Sequence, residues 1–457
     1  MKLKQTIILL VVVACTISVG VSQDTLKVMT YNVLHYGDGC QGSNMALHRE
    51  LKTIVQYANP DLVGMVKLQS ISLSATDLNG LSRVGFADSI LNDVFNAAYA
   101  NKYDHCPVVN FSHSPDGDMD LLFYNTSKLG FLSVTSLCTI QEDFNLYKLY
   151  YKDVNLPKTK DTTFLYFILN HTVSGTASSG RDAQDSTIVN ALARKFVHLP
   201  NLISMGDFNT HSSGEPGYQL LTASADANFL FSDPPYFPDQ KLSYPSDWSG
   251  NAGSFTGYLN TSTRAGLSPN ACGTSGGAKG WYLHMLLSPW IVNNKNYVKY
   301  VPGSYNTLGN DGRRVNISVN DSITTGKNSA VPQYVADALF QFSDKYPVTI
   351  TLVISPNTSG TSLPDPTQTI TGEIIHSQTS VVTGNPVGNQ LQLYFSPELV
   401  GRQASLHWFD LSGRLIDSGE LTIAGEREFA NVNLPPGIYV LRVAINGVTE
   451  ARLLVKQ

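Results

Sequence analysis

The chain has 457 residues and a formal net charge of -5, long enough for two folded domains with accessory segments. Hydrophobic residues make up 42% and charged ones 15%, which supports a sizeable core and excludes bulk disorder. The mild negative charge excludes broad nucleic-acid binding through a basic surface, so phosphate chemistry has to rest on a local site.

Residues 1–22 read as a signal peptide. Lys2 and Lys4 form a basic n-region, Ile7 to Ala14 a short apolar run, and Gly20 and Ser22 supply small residues before a cut ahead of Gln23. The run is too short for a membrane span and no other stretch comes close. Cys15 after Val-Val-Ala leaves a lipoprotein reading open. The expected location is secreted or the outer cell surface, by way of the periplasm. Beyond the signal lie Cys40, Cys106, Cys138 and Cys272; an even count in an exported chain permits two disulfides, with three possible connectivities. Their spacing is too wide for a zinc cluster.

Residues 24–354 alternate short apolar runs with helical stretches. Strands are predicted near residues 26–31, 62–66, 121–124, 164–169, 202–205 and 348–353, apolar throughout, as for strands buried on both faces. Helical spacing of apolar residues runs over 48–58 and 186–198. The pattern predicts an α/β (α+β) domain. Residues 355–380, rich in Ser, Thr, Pro and Gly, read as a linker. Over 381–457, short strands near 391–395, 404–410, 414–418, 426–432 and 437–443, separated by turn residues, predict a small all-β sandwich.

This last segment resembles the C-terminal sorting domains of type IX secretion cargo. The resemblance rests on Asn385-Pro386, on Phe409-Asp410-Leu411-Ser412-Gly413, and on Leu434-Pro435-Pro436-Gly437-Ile438-Tyr439-Val440-Leu441. It implies the type IX secretion machinery as partner, then release or attachment at the cell surface. A carbohydrate-binding or adhesion sandwich is the competing reading.

Five segments of the large domain carry polar residues at strand ends: Met29-Thr30-Tyr31-Asn32, Asn59-Pro60-Asp61 through Lys67, Leu169-Asn170-His171-Thr172, Gly206-Asp207-Phe208-Asn209, and Ser343-Asp344-Lys345-Tyr346-Pro347-Val348. In this order they resemble the endonuclease/exonuclease/phosphatase superfamily. The resemblance implies a four-layered α/β/β/α sandwich with metal-dependent phosphoester hydrolysis at the common edge of its two sheets. It gives Asn32 a part in holding metal and phosphate, His171 a hydrogen bond to phosphate, Asp207 the attacking water or leaving oxygen, and Asn209 the phosphate's orientation. Asp344 is the carboxylate of the family's Asp-His pair.

Three positions depart from the family pattern. Lys67 stands for the metal-binding Glu, Lys345 for the His beside Asp344, and Leu283 for an Asp before an apolar strand. An ammonium ~4 Å from a dication repels it by ~8 kcal/mol at an effective dielectric near 20, and Mg²⁺ demands oxygen donors. The expectation is a catalytically degenerate member without a metal or other cofactor, in which Lys67 and Lys345 face an anionic or phosphorylated ligand as point charges. The rival is an active nuclease or phosphodiesterase that takes Mg²⁺ or Mn²⁺ through Asp207, Asp344 and Asp38. A third reading makes the domain a scaffold, with both lysines solvated at the rim. Asp116 to Asp120 reads as a hairpin turn, lacking the Gly and Glu of a calcium loop. His35 and His211 are candidates for the site's border, and Arg313-Arg314 reads as a solvated loop.

Overall fold

The computed structural model describes residues 23–69, 83–108, 118–244, 248, 255–266, 272–364, 366, 381–383, 387–395, 399–410, 413–425, 427–445 and 448–456. The expected signal peptide, Asn385-Pro386, Leu411-Ser412 and Asp116-Gly117 lie outside the described residues. After Gln368 the chain divides into two compact units.

In the larger unit the apolar runs become two sheets. The first holds β1 (Asp24–Tyr36), β2 (Leu62–Gln69), β3 (Tyr103–His105), β4 (Asp118–Asn125), β10 (Val298–Tyr300), β11 (Asn306–Thr307) and β12 (Val348–Ile354), in the order β10-β12-β1-β2-β4-β3 with β11 beside β12. The second runs β5 (Leu129–Ile140), β6 (Glu142–Tyr151), β7 (Phe164–His171), β8 (Leu202–Asp207) and β9 (Leu283–Leu287). Each sheet has one parallel pair at its centre, β1 with β2 and β7 with β8. The inner faces press together at Gly64 of β2, where a Cβ would lie 2.4 Å from Leu169 and 2.6 Å from Met205 of the facing sheet. A larger residue there would have to displace both side-chain ends.

Helix Asn44–Ala58 buries Leu47, Leu51, Ile54 and Val55 at helical spacing and packs with helix Gln333–Phe342. Ser43 caps its first turn, and it stops at Asn59, which adopts a left-handed conformation (φ 45°) and donates its N–H to Val55 O at 2.8 Å. Helix Ser179–Lys195 packs with Pro216–Thr222 and against β5. With the sheets facing each other, these helices form the outer layers of a four-layered α/β/β/α sandwich, the expected architecture. The second helix begins seven residues before the predicted start at 186 because its first two turns bury polar side chains, Arg181, Gln184 and Asp185, which hide it from apolar spacing.

Three expectations change. Of the two permitted disulfides one forms, Cys40–Cys272. Cys106 and Cys138 remain thiols, the first after β3 of one sheet, the second in β5 of the other. Burial raises the Cys138 thiol to about 11. The first residues of the expected linker are tied to the domain: Asn357 donates Nδ2 to Asp161 at 2.7 Å, Ser362 N donates to Asp161 at 2.7 Å, and Leu363 N to Asn296 at 2.9 Å. Arg314 is fully buried and paired with Asp311 at 2.8 Å, so it belongs to the packing and not to a solvated loop; Arg313 is exposed.

The smaller unit pairs a three-stranded sheet, β13 (Val381–Thr383), β14 (Gln390–Tyr394) and β17 (Arg427–Asn431), with a four-stranded one, β16 (Leu415–Thr422), β15 (Gln403–Phe409), β18 (Gly437–Ile445) and β19 (Val448–Lys456). Leu391, Leu393, Leu406, Trp408, Leu441 and Val443 form its separate core. The sandwich was expected; β13 and β19 were not predicted. Gly413 closes the 409–413 turn at φ 82°, donating its N–H to Asp410 O at 2.9 Å.

Candidate functional site

The parallel pairs bring the C-terminal ends of β1, β2, β7 and β8 to one edge of the sandwich, where loops rather than ladders satisfy the backbone. Asn32 ends the core of β1 and donates Nδ2 across to Asp207 Oδ2 of β8 at 2.8 Å, joining the two sheets. The other Asp207 oxygen accepts the Asn209 N–H at 3.0 Å. Asn209, left-handed at φ 47°, donates Nδ2 to Thr172 O at 2.7 Å, next to His171. Gly206 is required in this turn: its φ is 143° and a Cβ would stand 2.0 Å from Asn170 O of β7. Asn32, His171, Asp207 and Asn209 therefore lie together at this edge.

Asp344 and Lys345 join them from the segment before β12. Ser343 Oγ donates to Asn32 O at 2.8 Å. Asp344, fully buried, accepts on Oδ2 from Thr274 N and Thr274 Oγ1, both at 2.7 Å, and from Lys345 Nζ at 2.9 Å. Lys345 itself is 6% exposed. Burial alone would lower its pKa, but Asp344 and Asp207 outweigh burial and hold it above the ordinary lysine value. Asp344, which burial alone would raise, is held below the usual carboxylate range by Lys345 and Thr274. The pair is an ion pair at neutral pH, so Lys345 is neither a base nor a side chain solvated at the rim.

Lys67 behaves differently. It sits left-handed (φ 65°) at a break in the β2–β4 register, its N–H donated to Asp120 Oδ1 at 3.3 Å. The side chain is half-buried, and among the described residues its ammonium has no hydrogen-bond or ion-pair partner. Beneath it, burial and then Glu142 push the Asp120 carboxyl well above the usual range. Burial, then the charges of Lys67, His35 and Lys345, hold His171 well below its ordinary value, so its imidazole is neutral at pH 7. His171 Nδ1 is buried without a partner among the described residues.

His35 and His211 border the site. His35 follows Leu34 in a second consecutive left-handed conformation (φ 48° and 53°) and lies 3.0 Å from Asp118 through Nδ1. Asp118 and Asp120 are residues of β4, not of a hairpin turn. His211 contacts Gly175 O at 3.1 Å and packs edge-on against Tyr282 at 5.1 Å. Tyr282 lies within electrostatic reach of Asp207 and Lys345, and burial raises its phenol. Leu34, His35, Lys67 and Asn209 are four non-glycine residues in the sparsely populated left-handed region, a clustering of local strain typical of functional sites.

Leu283 is wholly buried and in register with Asp207, an apolar wall beside that carboxylate. Its backbone N and O are both held by Asn260, at 3.0 and 2.8 Å. Asn260, Arg264, Thr274 and Tyr282 were not anticipated. They sit in loop segments distant in sequence from their partners, with no motif to mark them.

Most carboxylate oxygens at this edge already serve protein donors, while Asp344 Oδ1 is buried without a partner among the described residues. The oxygens of Asp207 are engaged by Asn32 and the Asn209 N–H, Oδ2 of Asp344 is held by Thr274 and Lys345, and Lys67 adds a further positive charge. Asp38 Oδ1 accepts the Cys40 N–H at 2.7 Å within its own turn. Among the described residues no three His, Cys, Asp or Glu side chains gather as a metal-binding group.

No family model and no curated protein matches the chain. Similar solved structures include the human Nocturnin catalytic domain with bound sulfate anion, at 13% identity and a TM-score of 0.42, covering 72% of this chain and 97% of that one. An endonuclease/exonuclease/phosphatase family protein from Bacteroides thetaiotaomicron aligns at 14% identity and 0.41, covering 73% and 96%. The endonuclease/exonuclease/phosphatase from Beutenbergia cavernae aligns at 12% identity and 0.41, covering 94% and 99%. Likeness at this level carries no statement about chemistry.

Proposed function

We propose that residues 24–354 form an endonuclease/exonuclease/phosphatase-type domain that has given up metal-dependent hydrolysis and binds an anionic or phosphorylated group without a metal. The observation that carries this reading is the buried Lys345 ammonium, 2.9 Å from Asp344 and raised by Asp344 and Asp207. It is a fixed protein cation inside the carboxylate site, as a bound metal would otherwise be. With Lys345 neutralised by these carboxylates, the half-buried Lys67 ammonium and the neutral His171 ring remain to meet a ligand anion.

The rival, a nuclease or phosphodiesterase using Mg²⁺ or Mn²⁺, would have to draw on Asp207, Asp344 and Asp38. The Asp207 oxygens accept from Asn32 and the Asn209 N–H, Asp344 Oδ2 is held by Thr274 and Lys345 while its Oδ1 is free of partners among the described residues, and Asp38 Oδ1 accepts the Cys40 N–H. The scaffold reading leaves Lys67, unpartnered among the described residues, and the strained strand ends without a role.

Export belongs to the same proposal. The signal segment and the resemblance of residues 381–457 to sorting domains support passage through the type IX secretion machinery to the cell surface or medium. Calorimetric titration with inorganic phosphate in the presence of a chelator tests the binding claim. The expected result is saturable binding that Lys67→Ala weakens at least ~10-fold, the loss of one charge-assisted contact. Equal binding by the two proteins, or none by the natural chain, contradicts it.

A further inference from the structure

The ion pair at the centre of the site is held by loops, and those loops are held by a bridge. Thr274 donates both N–H and Oγ–H to Asp344 at 2.7 Å, and Ser262 Oγ fixes Thr274 O at 2.9 Å. Two residues earlier stands Cys272, joined to Cys40 across 232 residues of sequence. Gly273 between them is left-handed (φ 80°) and tightly enclosed: a Cβ there would lie 2.6 Å from Leu34 and 3.0 Å from Asp344.

Arg264, buried with no carboxylate bonded to it among the described residues, ties the same parts together. It donates to Cys272 O at 3.2 Å and to Gln41 Oε1 at 3.0 Å, and to Phe340 O and Gln341 O near the end of helix Gln333–Phe342. Gln41 in turn donates to Leu34 O at 2.8 Å, fixing the strained turn that leads to His35.

We propose that the Cys40–Cys272 bridge and Arg264 are positioning elements of the site, so that the Lys345–Asp344 pair reaches its buried geometry only in the oxidised chain. Thiol–disulfide exchange with a small dithiol breaks the Cys40–Cys272 bond and leaves two thiols, while the dithiol gives up two electrons and two protons and becomes a disulfide. The loop then loses its covalent tie, Thr274 releases Asp344, and Lys345 becomes accessible. An exported chain acquires a competent site when its bridge closes in an oxidising compartment.

The test is the acylation rate of Lys345 by a water-soluble acetylating reagent, read by peptide mass spectrometry on the folded full chain before and after dithiol treatment. Exposed Lys158 is the internal control. The expected result is at least a tenfold faster reaction at Lys345, an unchanged rate at Lys158, and an unchanged far-UV circular dichroism spectrum. If the bridge resists the dithiol, Cys40→Ser/Cys272→Ser gives the same reading. Equal protection of Lys345 in both states overturns the proposal. So does loss of the whole fold on reduction, which would make the bridge a global staple.

The consequence for binding rests on the anion-site reading, with phosphate affinity expected to fall about tenfold on reduction. A chain that binds no phosphate even when oxidised contradicts that reading alone, and the acylation rates still decide the positioning.

Discussion

Lys345 shows how a single substitution changes the chemistry of a site. An ammonium among carboxylates satisfies charges that otherwise have no compensation once buried. Removing it as Lys345→Met strands Asp344 and Asp207, and denaturant unfolding at pH 7 is expected to show a loss of about 3–5 kcal/mol. The pH dependence has a definite sign. Asp344, with a lowered folded pKa, contributes stability above its unfolded value near 3.8 and loses it as pH falls through the lower folded value. Lys345, with a raised folded pKa, contributes below 10.5 and loses it as pH rises through the higher folded value. The deficit of Lys345→Met is therefore expected to be greatest and flat between about pH 4 and 10; a deficit that grows below pH 4 contradicts the ion pair. At this scale the site's frame was legible in the sequence. Asn32, His171, Asp207 and Asn209 follow apolar runs and Asp344 precedes one, and a polar residue there has only the sheet edge to occupy. Thr274, Asn260 and Asp118 were not legible, because their partners lie 70, 23 and 83 residues away and no local spacing encodes those contacts.

Among the elements, helix Ser179–Lys195 carries a buried load. Burial, then Asp182 and Glu215, raise Asp185 to about 8 against an ordinary value of 3.8. A carboxyl with a raised folded pKa favours the fold below its unfolded value and loses that contribution as pH rises through about 8. Asp185→Asn removes the titration and keeps the shape. Thermal melts are expected to show a Tm rise of roughly 5 °C at pH 8 and little change at pH 4; a rise at pH 4 alone contradicts the assignment. The same buried polar residues concealed the start of this helix from apolar spacing. Gly206 makes the corresponding point for β7 and β8. Gly206→Ala sets a Cβ 2.0 Å from Asn170 O at a φ of 143°, and unfolding is expected to show a loss of at least about 3 kcal/mol. A neutral result would mean that the two strand ends do not approach so closely.

For the whole molecule, the two units have separate cores, and every residue assigned to the anion site lies in the larger. Ending the chain after Gln368 is expected to leave phosphate affinity within about twofold of the full chain, since RT ln 2 is only about 0.4 kcal/mol. A larger loss by calorimetry would assign part of the site to residues 369–457. The layered architecture was readable because strands buried on both faces leave continuous apolar runs and turn-rich strands do not. The thiol state of Cys106 and Cys138 was not, since a cysteine count permits a bridge without placing the two sulfurs together.

The most direct measurement is calorimetric titration of the natural chain and of Lys67→Glu with Mg²⁺ and Mn²⁺. The account predicts no stoichiometric uptake by the natural chain, and none by Lys67→Glu alone, in which the Lys345 ammonium still occupies the carboxylates. Tight stoichiometric Mg²⁺ or Mn²⁺ binding by the natural chain would contradict a metal-independent anion site.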